Sequence, residues 1–179
     1  MKPTFASRLS VGVLLVTIGL PGAASAQYQL PTVISSVKAD SLHEAAAALV
    51  AAHRYRDAAR LHRRSAELRP AEDPLGFRCL SEAAALVYAA GDRSAARAGM
   101  ARAAGHALAR GDLRGAALAY LDAAWIAQEQ KNPKQVWELG HRAEMLAESP
   151  LLGMSDRSAI MRRIERAPLA MRLALKAEP

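Results

Sequence analysis

Two glycine-aspartate pairs interrupt an otherwise alanine-rich chain. Gly91-Asp92 and Gly111-Asp112 each end one run of helix-forming residues and begin another. Glycine readily adopts the left-handed backbone conformation that ends a helix, and aspartate caps the amino end of the next helix. A phosphate-binding loop would need a strand, more glycines and a lysine at fixed spacing, and neither pair has these around it. The pairs therefore predict elbows between consecutive packed helices.

The rest of the sequence favours an all-α fold. β-Branched residues are few after residue 40 and no alternating strand pattern occurs, whereas alanine, the strongest helix former, is abundant. Asp73-Pro74 and Asn132-Pro133 each place a capping side chain before a proline suited to the first helical position. These helix-start and helix-stop signals predict about seven helices, which cover approximately residues 41–52, 56–69, 74–90, 93–110, 112–131, 133–149 and 155–179.

The two ends of this helical region carry weaker signals. Ser41 and Glu44 have the spacing of a capping box, which predicts that the first helix begins there. Residues 27–40 are then expected to be an extended or disordered lead-in. Pro168 is expected to kink or divide the last helix, because proline removes a helical hydrogen bond.

Residues 1–26 have the order of a secretory signal peptide. Lys2 and Arg8 give a basic start, an apolar run follows, and small residues end at Ala26. The apolar run is about half as long as a membrane-spanning helix requires, so cleavage after Ala26 is expected, with an uncleaved anchor as the alternative. The mature chain, residues 27–179, has no later segment long and apolar enough to cross a bilayer. It is predicted to be periplasmic or extracellular.

The charge balance favours acidic partners. The formal charge is +7, and without Lys2 and Arg8 the remaining 22 basic and 17 acidic residues leave +5. Such a charge attracts acidic proteins or anionic lipid headgroups. Nucleic acid is not an expected partner, because the chain has only eight aromatic residues and no basic run in which they are interleaved.

A basic patch is predicted on the second helix, where spacings of three and four residues share one face. It consists of Arg56, Arg60, Arg63 and Arg64. It is either a solvated face or a docking patch for an acidic partner or surface.

Residues with metal-binding or catalytic potential are few and scattered. The single cysteine, Cys79, excludes an internal disulfide and a cysteine-cluster metal site, and is expected to be buried and inert or to pair with another chain. No two of the five histidines have the four-residue spacing that places both on one helical face, so no metal site is expected. Cys79 is expected to have no nearby histidine to act as its base.

Two carboxylates, Asp122 and Glu129, share a face of the fifth helix. Paired carboxylates can perform acid-base work, but a solvated helix face is the commoner reason for such a pair. No catalytic residue, no cofactor and no enzymatic activity are therefore predicted.

The elbows recur with similar surroundings. After each turn come a small residue, a larger residue and a second small residue at matching offsets, as in Ala96, Met100 and Ala103. Over residues 41–150 this pattern resembles the tetratricopeptide repeat (TPR) family. A first turn is predicted in residues 53–57. Counted from His53 to Gly91 and then to Gly111, the turns lie 38 and 20 residues apart, against a family period of about 34 residues.

The resemblance implies a right-handed array of antiparallel helix hairpins, a TPR-like α-solenoid closed by one or two capping helices in residues 151–179. In the family, the first helices of the pairs line a concave peptide-binding groove. Carried over by the turn positions, the residues implied to bind a partner are His43, Arg78, Ser81, Tyr88, Asp122 and Glu129.

The third helix offers the most specific version of this prediction. Residues 78, 81, 85 and 88 are three or four residues apart and form one stripe, with room beside Tyr88 above Ala85. The alternative is that Tyr88 packs between hairpins while Arg78 faces water. Trp125 and Trp137 are expected in the core, with one of them as an exposed anchor in the alternative view.

The combined features predict an exported, non-enzymatic adaptor that binds a protein or peptide in a concave groove. The alternative is a basic helical module that binds anionic envelope surfaces through its arginine face.

Overall fold

The computed structural model describes residues 23–177, with side chains from residue 35 onward, and within that range all regular structure is α-helical. Most of the predicted leader lies outside the described residues. The helices are α1 (Ala23–Ala51), α2 (Tyr55–Glu67), α3 (Pro74–Ala89), α4 (Arg93–Ala109), α5 (Leu113–Glu129), α6 (Pro133–Glu148), α7 (Met154–Glu165) and α8 (Leu169–Lys176).

The glycine-aspartate elbows are present where the sequence predicts them. Gly91 has a φ of 87° and Gly111 a φ of 75°, in the left-handed region where a side chain is strained. The Asp92 carboxylate accepts a hydrogen bond of 2.9 Å from the Ala95 backbone N–H, which caps α4. Asp112 caps α5 in the same way. Both pairs therefore end one helix and begin the next.

The spacing of the helices is more regular than the sequence suggests. Successive capping positions from α2 to α7 are 19 to 21 residues apart. They are Arg54, Asp73, Asp92, Asp112, Asn132 and Gly153. The 38-residue interval from His53 to Gly91 spans two helices, and the 20-residue interval from Gly91 to Gly111 spans one. The two-helix unit of 38 to 41 residues is longer than the TPR period of about 34 residues.

Each helix from α1 to α6 packs against the next one along the chain, as in a helical repeat array. Small residues allow this packing to be close, because interaxial distance depends on the side chains at the contact. Ala96 and Ala103 of α4 are fully buried. A Cβ atom added at Gly99 would lie 2.8 Å from the Ala84 side chain, which shows how near α4 lies to α3.

The C-terminal helices close the array with larger side chains. Pro168 lies between α7 and α8, so it divides the last predicted helix and gives eight helices in residues 23–177. α7 and α8 contact α5 and α6, and Ile160 and Met171 are buried there. None of the described helices is both long and apolar enough to span a membrane.

The prediction that residues 27–40 form an extended or disordered lead-in is wrong, because α1 is continuous from Ala23 to Ala51. Ser41 therefore lies inside a helix and does not begin one. Contacts with α2 explain why the last residues of this segment are helical. Ala39 is fully buried, and its carbonyl accepts a 2.7 Å hydrogen bond from the Ser65 hydroxyl. Such contacts outweigh the local capping signal, because a cap contributes only about 1 kcal/mol.

Candidate functional site

A groove runs over α4 between α3 and α5. Its volume is about 260 Å³. Its lining comes from α3 (Ala85, Tyr88), α4 (Met100) and α5 (Asp122, Trp125, Ile126). Two residues predicted to bind a partner, Tyr88 and Asp122, thus line the same groove although they lie on different helices.

Glu129 holds one rim of this groove together. The Tyr88 hydroxyl donates to the Glu129 carboxylate, with both carboxylate oxygens 2.8 Å away. Arg93, the first residue of α4, donates to the same carboxylate at 3.1 Å and lies over the Tyr88 ring. The hydrogen bond from Tyr88 is the main cause of the lowered pKa of Glu129, and the same contact raises the pKa of Tyr88. The rim is a connected network in which Glu129 is charged at neutral pH.

Trp125 forms the apolar centre of the site. Its side chain is not in the core as expected: it is 47% exposed. A second depression of about 160 Å³ begins on its other side, where the lining includes Arg163 and Arg166. Met171 and Leu121 contribute apolar surface there. Trp125 therefore separates two adjoining depressions, one mainly apolar and one with basic residues at its edge.

Asp122 lies at this junction, with its side chain 37% exposed, and pairs with Arg163 of α7. Burial raises the pKa of the Asp122 carboxyl group, while the Arg163 guanidinium opposes that shift. The pair joins α5 to α7 where the two depressions adjoin.

The remaining predicted partner-binding residues lie away from the groove. Arg78 donates to Glu82 on its own helix at 2.8 Å and is largely exposed. The Ser81 hydroxyl oxygen is buried without a hydrogen-bond partner. His43 faces α2 and α3 near Glu82. The predicted stripe on α3 is therefore divided, with only Ala85 and Tyr88 at the groove.

The predicted basic patch is exposed along α2. Arg56, Arg60 and Arg63 line a separate groove of about 450 Å³, but Arg64 does not. Arg60 pairs with Asp57, which reduces the free positive charge of this surface. The patch is therefore a mixed-charge face.

No protein-family model, curated protein or solved structure matches this chain. The interpretation of the groove therefore depends on its geometry and its charges.

A second constellation lies at the other end of the array, in a place that the sequence analysis did not single out. His43 of α1, His62 of α2 and Cys79 of α3 meet there. The expectation that Cys79 lacks a neighbouring histidine is corrected, because its sulfur lies 3.5 Å from His43 Nδ1. The three residues are 19 and 17 positions apart, close to the helix period, so that period is the signal that could have revealed them.

Burial limits what this constellation can do. Cys79 is fully buried and His62 is only 4% exposed, so a substrate cannot reach the thiol as the chain is folded. Burial lowers the pKa of His62, against the opposing effect of the Glu82 carboxylate. The residue types and their enclosure suit a bound ion better than nucleophilic catalysis.

Proposed function

We propose that this protein is an exported, non-enzymatic helical-repeat adaptor that binds a segment of a partner protein around Trp125. Export rests on the leader-like order of residues 1–26. The observation that carries the binding proposal is the exposed indole between two depressions. Tryptophan is enriched among the residues that contribute most to binding at protein interfaces.

The shape of the site suits one anchoring side chain and its neighbours. Met100 and Ile126 line the first depression beside Trp125, so an apolar side chain can bury itself there without leaving a polar group unpaired. The Tyr88–Glu129 contact and the Asp122–Arg163 pair hold the surrounding helices in place. A rigid site lowers the entropy lost on binding, and this favours recognition of a short segment.

The charges indicate the chemistry of that segment. Arg163 and Arg166 border the second depression, and the chain without residues 1–26 carries +5. Arg163 is partly balanced by Asp122, whereas Arg166 is exposed. We therefore favour a segment that combines an apolar anchor with a nearby acidic residue, because a carboxylate there would meet arginine donors.

Peptide selection tests this proposal. Random peptides displayed on phage are selected on the purified protein, and a synthetic consensus peptide is then measured by calorimetry. We expect Trp125→Ala to weaken binding by about tenfold or more, since loss of an anchor residue costs about 1–2 kcal/mol. The matched control is Trp137→Ala, because Trp137 stacks on His141 of its own helix, 5.1 Å between ring centroids.

Both variants are checked for helicity by circular dichroism. With Trp137→Phe, Trp125 becomes the only tryptophan, and its emission should shift to shorter wavelength as the peptide covers it. Selected peptides that bind the folded Trp125→Ala variant as tightly as the native protein would refute the proposal.

The alternative of an anionic-surface module rests on the groove lined by Arg56, Arg60 and Arg63. Asp57 binds Arg60, and Asp92 also lines that groove, so its charge is partly balanced. Vesicles containing an anionic phospholipid distinguish the two functions. Attachment through the arginine face should collapse with added salt, because screening acts within about 10 Å at 0.1 M. Binding of the consensus peptide around Trp125 should persist in the same salt.

A further inference from the structure

Four side chains from three helices converge near the start of the array. The Nδ1 atoms of His43 and His62 are 3.3 Å apart, and the Cys79 sulfur lies 3.5 Å from His43 Nδ1. One carboxylate oxygen of Glu82, Oε2, is 3.4 Å from His62 Nδ1 and 3.7 Å from His43 Nδ1. The three nitrogen and sulfur atoms lie within 4.8 Å of one another.

The distances from His43 Nδ1 to the other three ligand atoms, and from Glu82 Oε2 to His62 Nδ1, are 3.3–3.7 Å, close to those of a tetrahedral ligand set. Zinc bonds of about 2.0–2.1 Å to nitrogen or oxygen and about 2.3 Å to sulfur place ligand atoms about 3.3–3.6 Å apart. We propose that His43, His62, Cys79 and Glu82 bind one zinc ion and that the ion joins α1, α2 and α3.

The charges and hydrogen bonds support an ion over a metal-free cluster. Glu82 Oε2 is buried and has no hydrogen-bond partner, which is costly for a carboxylate oxygen. Binding releases the thiol proton of Cys79 to solvent, and the resulting thiolate and the Glu82 carboxylate together balance the 2+ charge. An ion thus supplies the partner that Oε2 lacks and leaves no net buried charge.

Accessibility and neighbouring contacts fit the same assignment. Cys79 and His62 are buried, whereas the His43 and Glu82 side chains are 28% and 32% exposed, so an ion can enter from their side. The Ser65 hydroxyl lies 3.6 Å from the Cys79 sulfur. It donates to a backbone carbonyl of α1, so its position is fixed. Contacts of this kind hold metal ligands in place in known zinc sites.

Cobalt and zinc titrations of the untagged, chelator-treated protein test the proposal. We expect one equivalent of Co²⁺ to give a thiolate-to-cobalt charge-transfer band and the visible bands of tetrahedral cobalt. Zn²⁺ should displace the cobalt. One equivalent of Zn²⁺ added to the metal-free protein should release the thiol proton and raise Tm, and a chelator should reverse the rise in Tm.

Variants show which residues hold the ion. Cys79→Ser should abolish the charge-transfer band, and Glu82→Gln should weaken zinc binding by at least about tenfold, the lower range for loss of a supporting group. His141→Ala, which removes an imidazole elsewhere, should bind zinc as the native protein does. Native protein that is folded by circular dichroism but shows no thiolate band, or a band that survives in Cys79→Ser, would overturn the proposal.

Discussion

Tyr88 on α3 donates its hydroxyl proton to Glu129 at the end of α5, across 41 residues of sequence, with both carboxylate oxygens 2.8 Å away. Arg93 completes the contact from the start of α4. Three consecutive helices are therefore joined at one rim of the groove around Trp125. The pKa of Tyr88 therefore reports on the charge of Glu129.

Replacing Glu129 by glutamine should lower the pKa of Tyr88 towards that of free tyrosine. The carboxylate raises that pKa chiefly through its hydrogen bond with the Tyr88 hydroxyl, and a neutral amide removes the charge. Ultraviolet titration of tyrosinate absorbance measures the change. Tyr88→Phe identifies the late-titrating tyrosine, and Glu148→Gln, an exposed carboxylate elsewhere, should leave the curve unchanged. An identical curve for Glu129→Gln would mean that the contact does not persist in solution.

Alanine at Gly91 should destabilise the protein by about 1 kcal/mol or more, because its φ of 87° strains any residue with a Cβ atom. Gly105 is the matched control, since it lies inside α4 and an added Cβ would meet nothing within 4 Å. Gly105→Ala should stabilise the protein by about 0.5–1 kcal/mol, the usual gain in a helix interior. Urea unfolding measures both changes, and equal signs for the two variants would contradict the elbow assignment.

Removing the Arg69 side chain should cost about 2 kcal/mol or more, the range for hydrogen bonds to charged groups. The side chain of Arg69 is only 3% exposed and donates to Asp73 at 2.8 Å and to Asp40 of α1. Arg64→Ala is the control, because its pair with Glu67 is exposed on both sides. That pair should contribute less than about 1 kcal/mol. Similar losses of unfolding free energy in the two variants would show that the buried bridge adds little.

Asp73 should contribute stability that disappears in acid. Burial alone would raise its pKa, but the hydrogen bonds from Arg69 and from the Leu75 N–H prevail, so the pKa is lowered on folding. The contribution is therefore complete above the unfolded value of about 3.9 and is lost as the pH falls through the folded value. Asp73→Asn should lower Tm at pH 7 and flatten its decline between about pH 5 and pH 2, the interval over which such a contribution titrates.

The control for this acid dependence is a substitution at the residue next to Asp73. Glu72→Gln removes one charge from an exposed residue beside Asp73 and should keep the native decline. A native decline in Asp73→Asn would assign the acid sensitivity to other carboxylates.

The helices and their elbows could be predicted because they depend on local interactions. Asp92 caps a backbone N–H three residues ahead of it, and the positive φ of Gly91 reflects that residue's own lack of a Cβ atom. The lead-in was misjudged for the opposite reason. Residues 39 and 40 are held by contacts with Ser65 of α2 and with Arg69, which follows α2, and no local pattern reveals these contacts.

The candidate site was predicted only in part. The resemblance to a repeat family implies that Tyr88 and Asp122 bind a partner, and the structure brings both to the groove beside Trp125. Arg78 was placed with them by helical spacing, but its partner Glu82 lies on the same helix and turns it away. Spacing fixes the face of a helix, whereas the neighbouring helices decide which part of that face remains open.

The sequence by itself determined the all-α fold and the elbows, because capping hydrogen bonds and backbone strain act over a few residues. Only the tertiary structure decided that Trp125 would be exposed and that His43, His62 and Cys79 would meet. These outcomes depend on the angle and depth at which each helix packs on the next. Whether a buried position holds alanine or glycine alters that packing slightly, and the effects accumulate over the whole array.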